Sequence, residues 1–362
     1  MTLWDLDTPT PLVELPRLQS NIADMAGLAA AHGKRLRPHV KTHKSPDIAR
    51  MQASAGVCGI TVAKLGEAEA FAEAGFDEIF IANLLVGGIK MRRLVRLASR
   101  VSVTVGVDSL TALDLLKQGL QGFGVSVGLM IEVDTGHGRA GVKQPDQAAA
   151  LARSAAESAS LALRGLYTHE GHVYRAQADR IADVCERAVS LLCACRTRIS
   201  GETDAAEAIV SVGSTPGADE MVRQDAVKEI RPGNYVFYDA GQVRLGRSAE
   251  RCALTVLTTV IARPSATEAL VDAGTKALSG DRDPVYGYGF VEGDPRARLD
   301  WCSEEHGHVH LGLSDRRPRV GDKVRIVPAH ACTCTNMHPF LNLVDDEHVV
   351  GRLPVAARDR LT

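Results

Sequence analysis

Along residues 35–240 the chain alternates short apolar runs, bounded by turn residues, with longer segments whose apolar positions recur every three or four residues. The short runs predict strands at 35–40, 59–63, 78–83, 102–107, 125–133, 163–169, 208–214 and 235–239. The longer segments predict helices at 46–54, 65–74, 88–98, 109–118, 146–158 and 176–199. Eight strands alternating with helices over about 200 residues fit a closed (β/α)8 TIM barrel of the α/β class better than an open doubly wound sheet. No Gly-x-Gly-x-x-Gly follows the first strand, which speaks against a dinucleotide fold. After residue 239 the pattern shifts to β-rich runs at 253–262, 269–273, 308–312, 323–327 and 348–350, separated by Gly, Pro and Asp. These predict a second, antiparallel β-rich C-terminal domain. The expected boundaries are 10–240 for the barrel and 241–362 for the β domain, with residues 1–9 packing on the latter and 287–295 forming a loop.

A chain of 362 residues, 45% of them hydrophobic, can bury one large core and one smaller one. Lys and Arg number 42 against 44 Asp and Glu, so neither nucleic acid nor an anionic membrane has an electrostatic footprint. Small-molecule partners become the expectation. The opening residues are acidic and lack the apolar core of a signal peptide, and no apolar run approaches a membrane span. The expected location is therefore cytoplasmic. The eight cysteines are scattered rather than arranged as a disulfide framework, which predicts reduced thiols. Cys185, Cys193 and Cys195 fall in an Ala-rich helical segment, where cysteine packs as a small hydrophobe.

Candidate chemistry begins at Lys41, where the first predicted strand runs out into a loop. Side chains alternate across a strand, so Arg37, His39 and Lys41 are expected on one face. Facing a barrel mouth, the lysine has cationic neighbours and low-dielectric walls, which favour an uncharged, nucleophilic amine suited to a Schiff base. Taken alone, this cluster is a solvated basic edge; the remaining strand ends change the reading. The fifth strand runs into Glu132 and Asp134 and then a Gly-rich turn carrying His137 and Arg139. The sixth ends in Tyr167, His169 and His172. Gly213 to Gly217, after the seventh, offers backbone N–H groups and the hydroxyls of Ser214 and Thr215 to a phosphate. A Schiff-base lysine and a phosphate cradle on one rim suggest pyridoxal 5'-phosphate, with His39, Arg139 and Tyr167 among its expected contacts. Near the C-terminus, an extended segment would place His330, Cys332 and Cys334 on one face. Imidazole and thiolate suit zinc, with positions left open for water or substrate. Asp281-Arg-Asp283 reads as a solvated turn, and His32, His308, His310 and His348 as surface or strand histidines.

Several segments act together as a signature: Asp7-Thr-Pro-Thr-Pro11, Arg37-Pro-His-Val-Lys41-Thr-His-Lys44, Asp134-Thr-Gly-His-Gly-Arg-Ala-Gly141 and Arg231-Pro-Gly-Asn-Tyr-Val-Phe-Tyr-Asp239. With Asp272-Ala-Gly-Thr-Lys276, Glu304-Glu-His-Gly307 and Pro328-Ala-His-Ala-Cys332, the chain resembles the fold-type III pyridoxal-phosphate enzymes that act on D-hydroxyamino acids, typified by D-threonine aldolase and metal-dependent D-serine dehydratase. The resemblance implies an alanine racemase-like barrel and a β domain, with Lys41 as cofactor lysine. It implies His330 and Cys332 as ligands of a divalent metal, zinc or manganese, and a homodimer. It adds Gly233, Asn234 and Tyr235 to Gly213 and Ser214 as phosphate contacts, mostly through backbone amides. The implied reaction is cleavage of a D-3-hydroxyamino acid to glycine and an aldehyde, with His169 or His172 as base at the β-hydroxyl. The alternative is dehydration of D-serine or D-threo-3-hydroxyaspartate, toward which Cys332 points. Racemization would leave the metal without a purpose, and a non-catalytic pyridoxal-phosphate carrier would lack the domain-sized stretch of about 120 residues after the barrel.

Overall fold

The computed structural model describes residues 1–201, 208–312 and 314–362. The chain forms two compact units, each assembled from separate stretches of sequence. Met1–Met25, Thr42–Met51 and Asn234–Arg358 make one; Ala26–Lys41, Gln52–Gly233 and Asp359–Thr362 make the other. Strand β1 (Thr10–Glu14) belongs to the former.

The second unit is built on an eight-stranded parallel sheet: β2 (Arg35–Leu36), β3 (Ile60–Val62), β4 (Glu78–Leu84), β5 (Ser102–Val107), β6 (Val127–Glu132), β7 (Leu161–Tyr167), β8 (Ile209–Val212) and β9 (Glu229–Ile230). Their order is β2-β9-β8-β7-β6-β5-β4-β3, and the sheet curls until its edges meet. His39 bridges Thr61 in parallel, and Cys58 and Thr61 donate N–H bonds of 2.9 Å to the carbonyls of Leu36 and Pro38. This is the predicted barrel. All six residues of β6 are buried, as a strand covered on both faces requires. Amphipathic helices alternate with the strands; Leu110–Leu120, for example, is capped by Ser109 and buries Leu113, Leu116 and Leu120 at helical spacing. Inside, Phe80, Met130 and Tyr167 pack as one cluster. A Cβ at Gly106 would collide with the Tyr167 hydroxyl, so a glycine in β5 gives that side chain room to cross the interior.

The first unit holds a nine-stranded sheet comprising β1 with β10 (Leu254–Ser265), β11 (Glu268–Val271), β12 (Gly289–Val291), β13 (Asp294–Cys302), β14 (Gly307–His310), β15 (Lys323–Pro328), β16 (Phe340–Asp345) and β17 (His348–Pro354). Strands β10, β15, β12, β13, β14 and β11 pair antiparallel in a ring that closes where β11 returns to β10, a six-stranded barrel. β1 lies antiparallel to β10 and parallel to β16, the one departure from the antiparallel expectation among these pairs.

Four local expectations need correction. The first barrel strand stops at Leu36, although Arg37 and His39 still donate to the Ile230 and Pro232 carbonyls, and Lys41 sits in a 3-10 turn over Val40–Thr42. The run 235–239 is not a strand: Phe237 and Tyr238 donate back to the Asn234 carbonyl in a turn, and the eighth strand is β9, ended by Pro232 and Gly233. The stretch 287–295 is no loop, since β12 and the start of β13 occupy it. Residues 331–337 are helical rather than extended, because the Asp239 carboxylate accepts the Ala331 N–H at 2.8 Å and nucleates a turn there.

Candidate active site

Strands of the parallel barrel end around a cavity of about 230 Å³. Six residues singled out in the sequence line it: His39, Lys41, Arg139, Tyr167, His169 and Gly213. Arg37 does not join them. It lies with Arg35 at the opposite end of the barrel, where its Nε meets Glu229 Oε2 at 3.0 Å.

His169 is locked by its neighbours. Its Nδ1 donates to the Gly213 carbonyl in a short hydrogen bond, which leaves Nε2 as the basic nitrogen. Loss of solvent first, and the Lys41 ammonium next, push its pKa down to about 3. The same two causes, in that order, put His39 well below the ordinary imidazole range. Both rings are therefore neutral at pH 7.

Across the cavity, Glu132 accepts from the Tyr167 hydroxyl at 2.8 Å and from Arg139 Nη2 at 3.3 Å. Burial, reinforced by Glu132, raises the Tyr167 pKa well above 10, so the phenol stays protonated and donates. Arg231 is buried. It donates to the Thr168 carbonyl at 2.7 Å and to Ser211, and lies 5.4 Å and 5.3 Å from the ring centroids of Phe80 and Tyr167. Its Nε is buried with no partner among the described residues.

The Gly213–Gly217 stretch departs from the expected cradle at its first residue. Gly213 N–H is already donated to Glu170 Oε2 at 3.2 Å, so both polar backbone groups of Gly213 are held by the consecutive residues 169 and 170. Ser214 and Thr215 are buried, and Ser214 Oγ accepts the Gly217 N–H at 3.1 Å. A Cβ at Gly217 would come within 2.8 Å of Ser214 Oγ and 3.1 Å of Cys185 Sγ, which explains the glycine. His172 falls in the 3-10 turn Gly171–Arg175 and does not line the cavity. Gly233 closes the second unit. Asn234 and Tyr235 open the next stretch of the first, both buried, with Asn234 Nδ2 donating to Asp239 at 2.5 Å.

The expected metal residues lie in the β-rich unit. His330 caps the helix Ala331–Met337, and its Nδ1 meets Asp281 Oδ2 at 2.7 Å, an arrangement that leaves Nε2 for a ligand. Thr333 Oγ1 donates to the same carboxylate oxygen at 2.7 Å. Burial opposes protonation of His330, but Cys332 and Asp281 outweigh it and raise the pKa well above 6.5. Cys332 Sγ lies 3.2 Å from Thr42 Oγ1. Helical geometry turns Cys334 away: it is fully buried against the Ala277 carbonyl, which His338 Nε2 also meets at 2.8 Å. Among the described residues no three His, Cys, Asp or Glu side chains are grouped to hold a metal.

Asp281, expected only as a turn residue, is the partner of His330 although its side chain remains partly exposed. Asp283 is buried and paired with Arg244 at 2.8 Å. Asp272 and Lys276 engage elsewhere, Asp272 with Thr8, Thr258 and Thr259, and Lys276 with Glu304 and Glu305. Glu132, Glu170 and Arg231 were also missed, although Glu132 carries a visible signal as a charge ending an otherwise apolar strand.

Residues 13–240 match the alanine racemase N-terminal domain, and residues 253–344 match the serine dehydratase domain. The chain is 31% identical to D-threonine aldolase of an Arthrobacter species over 358 residues, covering 98% of this chain and 93% of the relative. It is 36% identical to D-threo-3-hydroxyaspartate dehydratase of a Delftia species over 371 residues, covering 93% of this chain and 94% of that one. Among solved structures, D-threonine aldolase from Filomicrobium marinum superposes with a TM-score of 0.93 at 29% identity, covering 100% and 98% of the two chains. Among the described residues no helix is long and apolar enough to cross a membrane.

Proposed function

Because the chain belongs to the fold-type III D-amino acid aldolase/dehydratase family, an alanine racemase N-terminal domain joined to a D-serine dehydratase domain, we propose a pyridoxal 5'-phosphate- and divalent-metal-dependent lyase of D-3-hydroxyamino acids. It cleaves D-threonine-like substrates to glycine and an aldehyde, as a homodimer in the cytoplasm. The observation that carries this reading is Lys41 in one cavity with a carbonyl-locked imidazole, His169, and two guanidiniums, Arg139 and Arg231.

The residues suit the coenzyme. Lys41 offers the covalent anchor, and Arg231 has a buried Nε without a partner among the described residues. With Gly213 N–H committed to Glu170, the phosphate falls to Ser214, Thr215, Gly233, Asn234 and Tyr235. When bound, pyridoxal phosphate serves as the sink for the electron pair left at Cα. His330 and Cys332 suit zinc or manganese, with Asp281 orienting the imidazole. A divalent metal held by these two residues would supply Lewis-acid polarisation of a hydroxyl.

The chain's own residues then divide the work. His169 Nε2, kept neutral by desolvation and by Lys41, takes the β-hydroxyl proton. Of the two expected bases, His169 and His172, it is His169 that lines the cavity with Lys41. The Lys41 amine handles the proton at Cα. Glu132, fixed by Tyr167, orients Arg139. A second reading, dehydration of D-serine or D-threo-3-hydroxyaspartate, is favoured by the thiolate ligand Cys332; there Lys41 removes the Cα proton and the hydroxyl departs.

The test offers D-threonine, D-serine and D-threo-3-hydroxyaspartate to the holoenzyme with and without a chelator. Glycine with an aldehyde supports the aldolase, whereas ammonia with a 2-oxo acid supports the dehydratase. No chelator-sensitive product from any of the three sinks the lyase reading. Borohydride reduction should leave the coenzyme on Lys41, and Lys41→Ala should lose both label and turnover.

A further inference from the structure

A base that takes up a proton has to release it, and a second imidazole stands against His169. His137 sits in the turn after β6; its neighbours Gly136, Gly138 and Arg139 are exposed, while its own ring is half-buried. The two rings meet edge to face, with centroids 5.6 Å apart and planes at 84°. They converge over Gly171. A Cβ there would lie 2.8 Å from His169 Nε2, 2.8 Å from His137 Cε1 and 3.0 Å from His137 Nε2, so only glycine lets them approach. The turn itself is held by Asp134 Oδ1, which accepts the N–H groups of Gly136 at 3.1 Å and Gly138 at 2.9 Å.

The nitrogens are also oriented. His169 Nδ1 is occupied by the Gly213 carbonyl, which leaves Nε2, the atom on the His137 side. His137 Nδ1 is buried and has no hydrogen-bond partner among the described residues, so its Nε2 is the nitrogen on the shared side. Desolvation, then Arg139, Arg175 and His172, disfavour protonation of His137, and Asp134 favours it. Around His169 stand Lys41, Arg139 and His137. Both rings are therefore biased toward the neutral form.

We propose that His137 is the proton-transfer partner of His169, carrying protons between the cavity and bulk water, with Gly171 as the contact that lets the rings meet. The inference rests on the reading of His169 as the base. The proton taken from the substrate hydroxyl onto His169 Nε2 passes across water to the lone pair of His137 Nε2 and leaves for bulk water from that same nitrogen, while the buried Nδ1 keeps its own proton; no electrons are exchanged. His137 acts through His169 and does not touch substrate.

The test compares the wild-type holoenzyme with His137→Gln, which deletes the partner, and Gly171→Ala, which keeps both imidazoles but wedges them apart. Both variants should lose about 10-fold to 100-fold in kcat with KM little changed. Added imidazole buffer should restore turnover in His137→Gln and leave the wild type unaffected. Nitrogen-15 NMR of histidine-labelled protein reads the pair without turnover: His169 should show a protonated Nδ1 and a bare Nε2 whose resonance moves in His137→Gln. An unchanged kcat, a loss that buffer does not relieve, or an unmoved Nε2 resonance each overturns the proposal. A wild type inert toward every D-3-hydroxyamino acid overturns the lyase reading instead, and the NMR shift alone then decides whether the imidazoles are paired.

Discussion

Asp281→Asn probes the proposed metal centre with little disturbance of shape. One oxygen of that carboxylate accepts from His330 Nδ1 and Thr333 Oγ1, each at 2.7 Å. The amide keeps an acceptor but loses the negative charge that makes the imidazole a stronger ligand. Removing such an outer partner weakens metal binding about 10–100-fold, or about 1.4–2.8 kcal/mol. The fold itself should scarcely respond: the His330 and Asp281 side chains are 44% and 46% exposed, and ion pairs so placed contribute less than about 1 kcal/mol. Affinity and stability therefore separate. The assay is competition of metal-free protein against a chromophoric zinc chelator, with urea unfolding of the same samples in parallel. An affinity unchanged within about twofold would refute the reasoning, and so would a loss of stability as large as the loss of affinity.

Tyr167→Phe leaves a buried Glu132 oxygen without its donor and should cost about 1–3 kcal/mol in denaturant unfolding. For Glu229, burial alone would raise the carboxyl pKa, but Arg37 and Ser211 outweigh it and hold the group below 4.5. Its contribution is thus complete above pH 4.5 and lost as pH falls through the lowered value, so Glu229→Gln should flatten the acid limb of a stability–pH curve; an unaltered limb would remove Glu229 from the account. Gly165→Ala meets both a positive φ of 151° and a collision with the Ile209 carbonyl, and should cost about 1–3 kcal/mol or more, read as a lowered unfolding midpoint.

The barrel was legible because six of its strands are apolar runs long enough to show against helical segments, and because each delivers polar residues where it ends. That pattern drew Lys41, His39, Arg139, Tyr167, His169 and Gly213 to one rim, and they line one cavity. What escaped had a physical reason in each case. β2 and β9 are two residues long and have no period to detect. β1 is five residues containing a proline, and it takes its meaning from partners far along the chain. The helix at 331–337 is started by Asp239, a cap no local pattern reveals. Asp281 and Glu170 are unremarkable in sequence; their roles come from His330 and Gly213, which lie 49 and 43 positions away.

The placement of β1 has a consequence for biosynthesis. Leu12 and Val13 are fully buried between β10 and β16, and Asn342 reaches back 332 positions to bond Thr10. At about 5–20 residues per second, the ribosome needs roughly 20–60 s to deliver the last of those neighbours after β1 has emerged. Until β10 emerges the nascent chain carries a sticky, unmated segment at its front, and until β16 emerges one edge of that segment stays open, while the parallel barrel can already assemble behind it. A circular permutant that relocates β1 to follow β17 would shorten the wait to a few residues, and should lessen the chain's dependence on holding chaperones during synthesis.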